Sequence, residues 1–155
     1  KEDLFRYLIQ ESMDALLLAF EEILRRSGGD VFAALPEMYD YLQAHREWDR
    51  SLGGMGMMAA IANCNGEDRS GGALKFVDTE LVLKRMEACV NPDLLDLRQP
   101  EDLDAILRML MTLLGPVLYS GLQPEPEPEG RAKLEQALKI LQRGMGAKSM
   151  PGQQQ

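Results

Sequence analysis

The sequence predicts an all-α protein, a single-domain bundle of about five to six helices around a central apolar helix at about residues 100–121, with a C-terminal amphipathic helix on a Pro/Glu linker. Three observations predict it. Apolar residues recur at three- and four-residue steps through most of residues 1–122, the spacing of one helix face rather than the alternation of a strand. Gln99–Leu122 is apolar on nearly every side, as a helix enclosed by neighbours would be. Residues 123–130, Gln-Pro-Glu-Pro-Glu-Pro-Glu-Gly, interrupt the pattern with alternating proline and charge, which favours extended, solvated chain, before it resumes over 131–144. Residues 145–155, rich in glycine and glutamine, are expected to be a disordered tail.

Residues 2–26 read as one long amphipathic helix, with Phe5, Ile9, Met13, Leu16, Phe20 and Ile23 on one face, broadened by Leu8, Leu17 and Leu24. Glu2/Arg6, Glu21/Arg25 and Glu22/Arg26 stand four apart in the favourable order on the other side. Gly28-Gly29 ends it, since a left-handed residue after a helix costs glycine no steric energy. Asp30 is placed to cap a short turn through Leu35, and Pro36 to open a second helix reaching about Leu52, with Met38, Leu42, His45, Trp48 and Leu52 on its apolar face.

Gly53–Ala62 is rich in glycine and methionine, and Asn65–Ala73 is a polar loop. Asp78 or Thr79 caps a helix to Val90, whose Val82, Met86, Cys89 and Val90 face inward. Asn91-Pro92-Asp93 starts a short helix to Leu97. The central helix then opens on Pro100, Glu101, Asp102 and Asp104, where negative charge meets the positive end of the helix dipole. Gly115-Pro116 predicts a kink or a short second helix, because Pro116 has no N–H for the carbonyl four residues back.

The chain carries 17 Lys/Arg against 25 Asp/Glu, a formal net charge of −8. That acidity argues against binding nucleic acid or an anionic membrane through the body as a whole. The charge is uneven: residues 130–155 hold five basic residues and one acidic, while the rest hold 12 and 24. The basic set Arg131, Lys133, Lys139 and Arg143 is therefore the one place where nucleic acid contact is expected, if the chain belongs to a nucleoprotein assembly. The uncharged run Met109–Leu122 is too short for a bilayer, which needs about 20 residues. Cys64 and Cys89 stand in apolar helical surroundings without a disulfide framework, and neither end shows a targeting motif, so a cytoplasmic protein with reduced thiols is expected.

Chemistry-bearing patterns are sparse. The sole histidine, His45, has Asp49 one turn on, a pair that general base chemistry uses but that also forms as a helix-edge hydrogen bond. The sequence contains no HExxH, CxxC, GxSxG or phosphate-loop pattern. No catalytic residue, metal site or cofactor is expected. The expected function is recognition: a non-enzymatic protein–protein interaction module, such as an adaptor, an assembly chaperone or a small subunit of a larger complex. Its partner is another protein or a second copy of itself, engaged through Met55, Met57 and Met58, whose flexible thioethers adapt to varied surfaces, and through Leu134, Leu138 and Leu141. The alternatives are a small-molecule or soft-metal binder using the Met/Cys-rich region and the nucleoprotein subunit above. Helix 131–144 is too short to stand alone in water and must lie on its own bundle, on a neighbouring copy or on a foreign protein.

Overall fold

Five α-helices pack together in the computed structural model, which describes residues 2–45, 78–120 and 129–147, with backbone only at 2, 5, 6, 9, 12, 13, 79 and 114–120. They are α1 (Glu2–Arg26), α2 (Val31–Ala44), α3 (Thr79–Glu87), α4 (Asp102–Ser120) and α5 (Gly130–Met145), with a 3-10 turn at Pro92–Leu94 between α3 and α4. The described residues form no strand, only a single antiparallel bridge between Leu95 and Gly146. Among them no helix is long and apolar enough to cross a membrane.

The helices form a closed ring, α1 against α2, α2 against α4, α4 against α3 and α3 back against α1, and α5 lies across α2 and α4. The turn that sets α1 against α2 follows from its residues. Gly28 and Gly29 take φ of +67° and +77°, and Gly29 N–H donates to the Leu24 carbonyl, closing α1. Asp30 then accepts from the Phe32 and Ala33 amides and opens α2. At Gly29 two requirements coincide, because a Cβ there would also collide with the Asn91 backbone nitrogen, which donates to the Gly29 carbonyl at 2.9 Å. That bond ties the α1–α2 turn to the end of α3, so α1 and α3 run parallel toward the same end of the molecule.

The core is a continuous cluster of Leu16, Phe20, Ile23 and Leu24 from α1, much of α2, Val82, Leu83 and Met86 from α3, Leu103, Ile106, Leu107 and Leu110 from α4, and Leu134 and Leu138 from α5. The most enclosed helix is α2, half of whose 14 residues are buried, including Tyr39, Met38 and Leu42. In α4, the helix expected at the centre, Leu103, Ile106, Leu107 and Leu110 are buried while Met109 and Leu113 stand 43% and 53% exposed; the side chains of residues 114–120 lie outside the described residues.

Several boundaries differ from expectation for identifiable reasons. Pro36 does not open α2 but lies inside it; Asp30 has already satisfied the first amides, and the helix forgoes only the bond Pro36 would have given the Phe32 carbonyl. Helical backbone likewise continues through Gly115-Pro116 to Ser120, and no second helix starts there. Pro100 falls in the turn before α4 rather than in its first position, because the Asp102 carboxylate reaches back to the Arg98 and Gln99 amides and the helix starts at Asp102. Those two bonds also hold the Asp102 carboxyl below its usual range. The expected extension of α2 to Leu52, the loop at Asn65–Ala73 and the linker before Glu129 lie outside the described residues. Of the expected tail, Met145 and Ala147 are paired through the backbone, Asp96 N–H to the Met145 carbonyl and Ala147 N–H to the Leu94 carbonyl; residues 148–155 lie outside the described residues.

Candidate functional site

Three arginines make the polar seams of the bundle, and each lies between two carboxylates. Arg85 of α3 donates through Nε to Glu21 at 2.7 Å and through a terminal nitrogen to Asp14 at 3.3 Å, joining α3 to α1. Arg108 of α4 holds Asp104 in its own helix and Glu80 of α3, at 2.8 and 2.7 Å. Arg131 of α5 holds Asp40 of α2 at 2.8 Å and Glu135 in its own helix. Glu21 is the buried member of this set, and the Arg85 guanidinium keeps its carboxyl below the usual range even though burial pulls the other way. The Glu21 hydrogen bond in turn raises Arg85, as Asp104 raises Arg108 and Asp40 raises Arg131. These are charge-assisted bonds that fix which helix lies against which.

The expected pairing of charges was local, and the structure redirects it. Glu21 keeps Arg25 only at 3.8 Å while giving its short bond to Arg85, and Arg26 reaches Glu37 of α2 at 3.2 Å rather than Glu22. His45 was expected on the apolar face of α2; it is exposed at the helix end, stacked on Tyr41 with ring centroids 4.0 Å apart. Its Nδ1 lies 2.8 Å from the Tyr41 carbonyl and therefore carries the proton. Asp49 lies outside the described residues.

The expected partner-binding residues divide. Leu134 and Leu138 are buried against the bundle and Leu141 is half-buried, so the apolar face of α5 is covered by its own chain. Gly130 is the close-contact point of that docking, because a Cβ there would sit 2.5 Å from the Tyr39 hydroxyl oxygen, which accepts from Gln43. Of the basic set, Arg131 is committed to Asp40 and Glu135, while Lys133, Lys139 and Arg143 are exposed. Lys139 and Glu135 border an open groove of about 380 Å³ between α5 and the start of α2, floored by Phe32, Pro36 and Leu138. Met55, Met57, Met58 and Cys64 lie outside the described residues. Cys89 is a half-buried free thiol, and among the described residues no three His, Cys, Asp or Glu side chains come together in a way that could hold a metal ion.

What reading the sequence missed is an apolar surface on the other side of the ring. Leu4, Tyr7, Leu8 and Leu18 on α1, Leu81 on α3, and Met109 and Leu113 on α4 are all exposed, whereas α2 exposes no large apolar side chain. Between residues 3 and 15 every described side chain of α1 is exposed; burial begins at Leu16. Arg85 sits level with α1 between Asp14 and Glu21, and α3 starts six residues earlier, about 9 Å lower. The lower part of α1 therefore extends past the start of α3. The Arg108–Glu80 pair places the remaining 12 residues of α4, about 18 Å of helix, toward the same end. The sequence carried a signal: the apolar sector of α1, widened by Leu4, Leu8 and Leu18, exceeds what a single buried face needs.

The described residues define an all-α class, five helices packed together without a strand. No known family model matches the chain, and no curated protein or solved structure matches it either.

Proposed function

We propose that this chain is a helical protein–protein interaction module, an adaptor, assembly chaperone or small subunit of a larger complex, that acts by binding rather than by turning over a substrate. The observation that supports this is the segregation of exposed apolar side chains. Of the nine large exposed ones among the described residues, seven lie on α1, α3 and α4, the other two being Leu94 and Ile140. Scattered single apolar residues are ordinary on a protein surface, but a concentration of them on neighbouring helices supports a contact surface. At full burial, Leu113 and Met109 alone would contribute on the order of 2–4 kcal/mol to an association. α5 makes the complementary point: it seats itself on this bundle with Leu134 and Leu138 buried and Arg131 between carboxylates.

The test is site-specific photocrosslinking of the full chain in its own cell, with the photoreactive residue at Leu113, at Leu4, or at the exposed Glu101 as control. Discrete adducts to a second polypeptide at Leu113 and Leu4, and none at Glu101, are expected. Crosslinks confined to the chain itself at both positions would show an internally covered surface and would end the interaction reading.

A further inference from the structure

α5 is set onto a bundle that closes without it. The ring of α1, α2, α4 and α3 is complete in itself, and the helices that α5 packs on are α2 and α4. Its seat has four fixed points: Gly130 against the Tyr39 hydroxyl, Arg131 on Asp40, and Leu134 and Leu138 buried in the core. At its other end, backbone bonds from Leu94 and Asp96 to Ala147 and Met145 hold the last turn near the start of α4, so α5 runs antiparallel to α4. Lys133, Gln136, Lys139 and Ile140 on its outer face are exposed. Antiparallel neighbours need a connection of only about two to five residues. Here nine residues, 121–129, separate the two helices, and the last six alternate proline with glutamate. Such a composition favours extended chain, which at about 3 Å per residue reaches on the order of 25 Å.

We infer that the seat of α5 is a helix-binding site that a second copy of this chain can fill, each copy giving its α5 in exchange for the other's. The interaction reading above concerns the α1, α3 and α4 surface, and this inference goes beyond it. The seat itself argues for a second copy as the occupant. A Cβ at the position of Gly130 would collide with Tyr39, and the arginine and the two leucines follow that glycine at steps of one, three and four. A foreign helix would have to carry the same four residues in the same spacing, whereas a second copy supplies them by identity. Charge agrees with this choice, since α5 carries four basic side chains and one acidic, and the rest of the chain that it seats on is acidic. Exchange between identical copies is reciprocal and gives up no contact, because each α5 meets in its new seat every partner it left. The tether then decides which form prevails. It holds α5 near its own seat at an effective concentration of about millimolar, so dilute chains close on themselves and concentrated ones trade helices.

The first test removes the turn. With residues 121–128 deleted, Glu129 follows Ser120 directly and α5 cannot fold back antiparallel on the α4 of its own chain. Analytical ultracentrifugation at about 10 µM, well below the effective concentration the tether supplies, should find the deletion variant at twice the mass of one copy. Leu134→Asp, which strips the most enclosed contact from α5, should return that variant to the mass of a single copy. The second test uses the full chain, so it holds even where the deletion variant does not fold. Full-length copies bearing two different affinity tags are unfolded together in urea at about 1 mM and refolded, and dimers carrying both tags are expected, at least tenfold fewer when both copies carry Leu134→Asp. A deletion variant that stays a monomer with its helicity intact, a dimer unaffected by Leu134→Asp, or full-length copies that never pair would overturn the inference. If the copies never pair while the photocrosslink at Leu113 still captures a second polypeptide, the interaction reading stands and the exchange of α5 falls.

Discussion

The two ends of the helix ring differ in what covers the apolar residues described there. At the end where α1 turns into α2, the backbone is tied twice across elements that are distant in sequence, Gly29 to Asn91 and Leu94–Asp96 to the last residues of α5. Every large apolar residue of α1 from Phe20 to Leu24 is buried there. At the other end α1 runs on beyond the start of α3, and Leu4, Tyr7 and Leu8 stand exposed together with Met109 and Leu113 of α4. The difference teaches that burial follows from the neighbours that fixed polar contacts hold in place. Leu24 and Leu113 have the same side chain and a helical backbone; one has a partner helix on every side and the other does not.

The largest expected effect tests that contrast directly. Leu24→Ala removes a fully buried side chain and leaves a cavity the tied end cannot collapse around, a loss of about 3–4 kcal/mol of unfolding free energy. Leu113→Ala, at an exposed position, should stay within about 0.5 kcal/mol of wild type. Equilibrium urea unfolding of the two variants measures both, and comparable losses would mean that the ends do not differ.

A smaller effect sharpens the comparison at the docking of α5. Gly130→Ala places a methyl group against the hydroxyl of a fully buried Tyr39, whose ring is held by the surrounding core, so α5 must shift at its start. Overpacking of this kind costs about 2 kcal/mol, less a few tenths returned by alanine's better helix propensity. Tyr39→Phe alone deprives Gln43 of its acceptor, yet combined with Gly130→Ala it removes the clash. The double variant should therefore be more stable than the sum of the two single losses, which a double-mutant cycle in urea reads directly.

Much of the tied end was legible in the sequence because its signals are local. The Phe20, Ile23 and Leu24 spacing, the Gly28-Gly29 stop, the Asp30 cap and the Asn91-Pro92 turn each act within a few residues and each appear where expected, as does the Asp78 cap at the start of α3, toward the other end. Proline misled at Pro36, since one missing hydrogen bond does not end a helix whose apolar face is buried on both sides of it. An all-round apolar sequence records how much surface seeks cover, and whether cover exists depends on where other helices stop; among the described residues α4 packs on α2, α3 and α5 with Leu103, Ile106, Leu107 and Leu110 buried and Met109 and Leu113 exposed. The seam between α1 and α3 was illegible because Arg85 lies 71 residues from Asp14 and 64 from Glu21, and no local pairing rule reaches that far.

The smallest expected effect concerns that long-range seam and has a defined pH dependence. Glu21 is buried and its carboxyl titrates below the usual glutamate range because the Arg85 guanidinium hydrogen-bonds the ionised form. A carboxyl whose folded pKa is depressed contributes stability that is fully present above its unfolded pKa and disappears as pH falls through the folded one. Glu21→Gln keeps the size of the side chain and removes the charge. At neutral pH it should cost about 1.5 kcal/mol, at the low end for a charge-assisted bond because Arg85 keeps a quarter of its side chain in water and retains Asp14. As the pH falls below the ordinary glutamate range, wild type should lose stability and the variant should lose less, so that their melting temperatures converge in acid. Glu11→Gln, at an exposed position of the same face with no ion pair to a described residue, should stay within about 0.5 kcal/mol of wild type at neutral pH. A loss for Glu21→Gln that fades in acid, beside a near-neutral Glu11→Gln, would show that position on one face of α1 is not enough and that the contact with Arg85 is what makes a carboxylate there hold the fold together.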